Sequence, residues 1–166
     1  MSLEPSVVPE PNSNKSVKNI FSRDWEWLGI LYLRLALGTA FLSGIADRFG
    51  LYTGRNVGYG NFEGFLQYTA KVNAFMPPCT IPFLGWVATV AEFSLGLALV
   101  LGLWLRWAAL GSSLLLILFG TAMAISFGIK SPLDYSVFSA SAGALVLALH
   151  EFRKRCESFE SASTIL

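Results

Sequence analysis

Four apolar runs, each close to the length that crosses a lipid bilayer, leave few folds open to this 166-residue chain. A hydrocarbon core of roughly 30 Å takes about 20 helical residues at 1.5 Å each. The runs are Trp27–Ala46, Pro82–Leu103, Trp107–Ile129 and Leu133–His150. Inside hydrocarbon, every backbone N–H and C=O must be satisfied within the protein, so runs of this kind are helices. The expected fold is therefore all-α: an integral membrane bundle of four transmembrane helices, with the lipid bilayer as its first partner. A composition of 54% hydrophobic and 14% charged residues agrees with burial in lipid.

The polar residues gather at the ends. Residues 1–26 and 151–166 read as cytoplasmic tails flanking a membrane domain over 27–150. Pro5, Pro9 and Pro11 punctuate a stretch without apolar periodicity, so residues 1–19 are expected to be mobile. Lys15, Lys18 and Arg23 precede the first run as they would in a signal peptide, but the run exceeds the usual h-region and contains Arg34. An uncleaved first span is expected. Lys15, Lys18, Arg23, Arg106, Arg153, Lys154 and Arg155 fall on one side, against Arg48, Arg55, Lys71 and Lys130 on the other. The positive-inside rule then puts both termini in the cytoplasm of a multi-pass protein of the cell (inner) membrane.

The connections are short except one. Gly102, Trp104 and Arg106 mark a tight turn that makes spans two and three an antiparallel hairpin. Ser131, Pro132 and Asp134 read as an N-cap, a proline at the first helical position and an early acid, opening span four. The long connection, Asp47–Ile81, lies outside. Its glycine-rich half, Gly50–Gly60, is irregular. In its second half Phe62, Phe65, Leu66, Val72 and Met76 recur near helical spacing, opposite Glu63, Gln67 and Lys71. An external amphipathic helix covering the bundle fits this pattern, and so does a packed Ω-like loop.

Arg34 and Glu92 are charges within spans one and two, where each costs roughly 2.5–3.5 kcal/mol on the insertion scale, so both are expected to face inward. Gly85, Ala88, Glu92 and Gly96 share one face of span two, and Ser136, Ala140, Ala144 and Ala148 one face of span four; such small residues let helices approach closely. Two readings of Arg34 and Glu92 stand: a polar pocket for an anionic or quinone-like headgroup, or a buried ion pair that fixes helix register. At the outer end Asp47, Arg48, Lys130, Asp134 and Tyr135 converge beneath the external segment as further ligand-binding candidates, or serve as snorkelling and capping residues.

Several chemistries lack their residues. A single histidine, His150, cannot supply paired haem ligands, and no His, Cys and carboxylate spacing suits a metal. Cys79 and Cys156 lie on opposite sides of the membrane in this topology and are not expected to pair. A formal charge of +1 with one short basic cluster, Arg153–Arg155, gives no nucleic-acid face. Nucleophile elbows, phosphate loops and dinucleotide fingerprints are missing too. Any redox role must borrow its electron carrier.

Four segments together resemble the DoxX family: RLALGTAFLSG from Arg34 to Gly44, TVAEFSLGLALVLGL from Thr89 to Leu103, RWAA from Arg106, and KSPLDYSVFS from Lys130. The resemblance covers about residues 28–148. It implies four helices with Arg34 and Glu92 turned inward. It also implies an association with membrane oxidoreductase or oxidative-stress complexes, the family name deriving from the DoxD subunit of an archaeal thiosulfate:quinone oxidoreductase. A lysine frequent in the family at the outer end of span one is replaced here by Asp47-Arg48. The resulting expectation is a membrane subunit of a quinone-linked oxidoreductase system, with quinone as its ligand, no intrinsic cofactor, and an oxidoreductase partner subunit or a second copy beside it. A non-catalytic scaffold or assembly factor is the alternative, and a small-solute transporter the third reading.

Overall fold

The computed structural model describes the backbone of residues 13–163, with side chains over 25–157 apart from Asn56. Every regular element among the described residues is helical: α1 Ser13–Arg48, α2 Phe62–Val72, α3 Ile81–Leu101, α4 Leu105–Phe127, α5 Lys130–Asp134 and α6 Val137–Ser163. Two short 3-10 turns, Gly54–Asn56 and Pro78–Thr80, lie between them. The chain divides into two compact units within α1, Met1–Leu31 and Tyr32–Leu166. In the first unit, helix runs from Ser13, so part of the segment expected to be mobile is helical; residues 1–12 of that tail lie outside the described residues. Extending an existing helix needs no new nucleus, which explains how weak helix formers before Trp25 join it.

Among the described residues, three helices are long and apolar enough to cross a membrane: Trp25–Arg48, Pro78–Leu101 and Leu105–Phe127. The second unit is arranged for lipid as its solvent. Trp86, Val90 and Phe93 of α3 and Leu114, Leu118 and Ile125 of α4 are exposed, while Thr89, Glu92, Ser112 and Ser113 are buried. Large apolar side chains outside and small or polar ones in the seams reverse the pattern of a water-soluble core.

Of the expected Gly85, Ala88, Glu92 and Gly96 face of α3, Ala88 is half-buried and the other three are buried, with Thr89 and Leu99 completing it. Along it, α1 runs antiparallel. A methyl group on Gly38 would lie 2.7 Å from Val100 Cγ2 and 3.0 Å from the Gly96 carbonyl oxygen, and one on Gly96 would lie 3.1 Å from the Gly38 carbonyl oxygen. The two glycines thus face each other, and nothing larger fits between the backbones. Gly102, at φ 75°, ends α3 in the left-handed conformation that favours glycine, and Leu103 N–H bonds the Ala98 carbonyl.

Helices α4 and α6 make a second seam. Ser141 Oγ donates to the Ser113 carbonyl at 3.0 Å, the two hydroxyls lie 3.2 Å apart, and Ala144, Leu147 and Ala148 are buried beside them. Ala144 and Ala148 belong to the stripe expected on span four. Ser136, expected in the same stripe, lies before α6 and is exposed, at φ 54°.

That residue corrects the expected start of the fourth helix. Pro132 sits inside the five-residue α5, and the left-handed Ser136 turns the chain before α6 begins. The Lys130–Ser139 segment is therefore a helical turn, a break and a new helix, with Ser131 inside α5 and not capping it. Leu133 and Tyr135 therefore lie outside α6, which begins at Val137 and continues past His150 to Ser163.

Between α1 and α3, the expected amphipathic helix is present as α2. Asn61 caps it, its side-chain oxygen accepting from Gly64 N–H at 2.8 Å. Phe65, Thr69 and Val72 are buried, while Glu63, Gln67 and Lys71 are exposed; Met76 lies beyond the helix and is exposed. Helix α2 packs on α3 and α4, where Leu66 fills the space left by Gly85 and Ser126 Oγ donates to the Val72 carbonyl at 2.6 Å.

Candidate functional site

The partner of Glu92 is Arg48. The last residue of α1 turns its guanidinium onto α3, with Nη2 2.6 Å from Glu92 Oε1 and Nη1 donating to Thr89 Oγ1 at 3.0 Å. Thr89 can accept because its own proton goes back to the Gly85 carbonyl at 2.8 Å. Arg48 and Glu92 are 4% and 5% exposed, so this ion pair sits in a medium where charge-assisted bonds are strong. The ring of Phe65 covers it, 3.7 Å from the guanidinium carbon. Arg48 Nε is buried and has no hydrogen-bond partner.

Asp47 points to the other side and holds the external loop. Its carboxylate accepts from Gly58 N–H at 3.1 Å and Tyr59 N–H at 2.6 Å. A side chain on Gly58 would collide with that carboxylate, its Cβ 2.8 Å from Oδ2. Adjacent residues of one helix end therefore do different jobs: Arg48 ties α1 to α3, and Asp47 ties the loop to α1.

An aromatic cluster continues outward from Phe65. Tyr59 meets Phe65 edge to face at 5.3 Å and Tyr68 at 5.4 Å, and Phe62 lies 4.6 Å from Trp86. Burial, with Tyr68 beside it, pushes the Tyr59 phenol up to about 12, so it is a neutral donor at ordinary pH.

Arg34 stands elsewhere. The Gly38–Gly96 contact sets the antiparallel register and puts Arg34 opposite the end of α3, where Nη2 reaches the Val100 carbonyl at 3.4 Å and the guanidinium lies against Gly102. Glu92 and Val100 are roughly 12 Å apart along a helix rising 1.5 Å per residue, so Arg34 and Glu92 do not meet. Lys130 and Asp134 pair with each other on an exposed turn of α5, and Tyr135 is exposed. Of the seven sequence candidates, Arg48 and Glu92 are in direct contact, and Asp47 adjoins Arg48. Thr89, Phe65 and Tyr59 were not singled out for the site. The facing glycines held part of the signal: aligning Gly38 with Gly96 in antiparallel helices sets Glu92 level with Leu42, beside Gly44.

Cys79 and Cys156 are exposed free thiols. Among the described residues, no three His, Cys, Asp or Glu side chains are grouped to hold a metal ion.

The family model for DoxX matches residues 29–128. The chain belongs to the DoxX family. The match takes in α2, α3 and α4 together with Arg34, Asp47, Arg48 and Glu92. This DoxX protein is a membrane protein by its family and by its apolar helices. No curated protein and no solved structure matches the chain.

Proposed function

We propose that this DoxX protein is the membrane subunit of a quinone-linked oxidoreductase system, and that its quinone headgroup site is built on Arg48 and Glu92 beneath the aromatic cluster. The observation that carries this reading is the unused Nε donor of Arg48, buried at the edge of the ion pair. A buried donor without an acceptor costs about 1–3 kcal/mol, and a quinone carbonyl oxygen satisfies it. Phe65 and Tyr59 make the surroundings of that donor aromatic, as a conjugated headgroup favours. Glu92 and Thr89 fix the guanidinium, so the free donor has one direction. A quinone supplies two-electron, two-proton chemistry, and the electrons come from a partner, since this chain's residues bind and orient only.

The topology belongs to the same reading. Helix α6 serves as the fourth span, with both termini cytoplasmic in the cell membrane. Its support is the seam with α4 and the exposed Leu145, Val146 and Leu149, which continue the lipid-facing surface.

The test is bound quinone, extracted and quantified by mass spectrometry after mild-detergent purification from quinone-replete membranes. Wild type and Arg34→Gln are expected to retain it; Glu92→Gln and Arg48→Lys are expected to lose it while still melting cooperatively. Wild type free of quinone, or equal retention in all four, would overturn the site.

A second reading, a non-catalytic scaffold, is favoured by Asp47. Its two backbone bonds make the ion-pair region a fastener for the external loop, and a fixed loop is a docking surface. Reproducible non-redox partners lost on Asp47→Ala, with no quinone in the wild type, would establish it instead.

A further inference from the structure

At the opposite end of α3 lies a cleft that plays no part in the Arg48–Glu92 site. It is an open surface depression of about 840 Å³ between the α3–α4 turn and α6, lined by Gly102, Trp104, Arg106, Trp107, Lys154 and Arg155, with Glu151 beside them. Glu151 lies 3.9 Å from Lys154 Nζ, and with Arg106 and Arg155 also present the lining carries more positive than negative groups. Arg106 is held in place by aromatic rings, 5.6 Å from Trp107 and 5.7 Å from Phe152, and these rings pack edge to face at 5.4 Å. Trp104 and Trp107 are 87% and 55% exposed where the apolar length of α4 begins, the level at which tryptophan marks a membrane–water boundary. The start of α4 has no side-chain cap, so its positive end adds to the same field.

We propose that this cleft binds the phosphate group of an anionic phospholipid. Arg106 and Lys154 grip the phosphate from two helices, and the tryptophans flank the glycerol and the upper acyl chain. A basic pocket between spanning helices attracts anionic lipid, whereas a scattered set of snorkelling cations does not select a headgroup. The bound lipid closes the joint between the α3–α4 turn and the last turns of α6, which here is made by the Arg106, Trp107 and Phe152 contacts. This inference is independent of the quinone reading.

The experiment reconstitutes the full chain in bilayer discs of phosphatidylcholine with a minor fraction of phosphatidylglycerol, and counts retained lipids by native mass spectrometry. Wild type is expected to retain phosphatidylglycerol above its share of the disc. Arg106→Gln with Lys154→Gln is expected to weaken that retention more than about tenfold. Arg153→Gln with Lys130→Gln, which removes the same charge outside the cleft, is expected to leave it unchanged. Lys154, 53% exposed, gives a readout in the wild type alone. Its acylation by an amine reagent should slow in phosphatidylglycerol discs relative to pure phosphatidylcholine. Equal acylation in both discs, no lipid preference, or equal loss in both double variants would overturn the proposal. Protection by inorganic phosphate in pure phosphatidylcholine, without retention of phosphatidylglycerol, would overturn the lipid and assign the cleft to free phosphate.

Discussion

Arg34 and Arg48 stand on one helix and face the same neighbour, yet their surroundings differ in kind. Arg48 is buried against a carboxylate, a hydroxyl and an aromatic face; Arg34 is half-buried beside the carbonyl end of α3, with one long hydrogen bond. Arg48 answers a full negative charge inside the protein, and Arg34 the partial charge of a helix terminus. The identity of a charged residue in a span therefore says less than the helix register that decides what stands opposite it. Register here is set by Gly38 and Gly96, residues without any side chain.

The largest effect should come from splitting the ion pair. Arg48→Leu leaves Glu92 buried without a cation and is expected to cost roughly 3–5 kcal/mol, seen as a large drop in the thermal unfolding midpoint in detergent. An equal drop for Arg34→Leu would erase the contrast between the two sites. Next comes the contact that sets the register. Gly96→Ala puts a methyl group against Phe41 and the Gly38 carbonyl and should cost about 1–3 kcal/mol by the same unfolding measurement. Arg34→Gln, which removes a charge from a helix end, should cost only about 0.3–1 kcal/mol. A larger loss would mean that Arg34 has a stronger partner than the α3 terminus.

The smallest effect concerns Tyr59, whose phenol titrates near 12 against about 10 in an unfolded chain. The folded state holds the proton more tightly. Its contribution to stability is thus complete below pH 10 and is lost as pH rises through about 12. Difference absorbance of Tyr59→Phe against wild type should place this tyrosine's ionisation above that of an exposed one. Ionisation near 10 would show that the loop held by Asp47 is open.

The apolar runs were legible because lipid imposes length and apolarity on sequence directly: α3 and α4 follow from them with ends moved by one or two residues, whereas α1 begins at Ser13, well before Trp27. The amphipathic α2 was legible by its period. The end of the third apolar run and the start of the fourth were not. Pro132 suits a helix start, and nothing in KSPLDYS marks Ser136, an ordinary residue, for a left-handed conformation. For the site, burying Glu92 was predictable from cost alone. Its partner was not, because two arginines at different levels of one span are equally basic, and depth counted from uncertain span ends cannot separate them. Asp47's bonds to Gly58 and Tyr59 are made to backbone, which leaves no side-chain pattern to read.

The most direct test of the central claim, that Arg48 and not Arg34 answers Glu92, is a pair of double-mutant cycles on unfolding free energy in detergent, Arg48→Met with Glu92→Met and Arg34→Met with Glu92→Met. Contacting residues couple by about 0.5–3 kcal/mol and separate ones add within about 0.3–0.5 kcal/mol. The expected result is strong coupling in the Arg48 cycle, with the double variant less damaged than the sum of its singles, and additivity in the Arg34 cycle. Coupling of Glu92 to Arg34, with Arg48 additive, would contradict it.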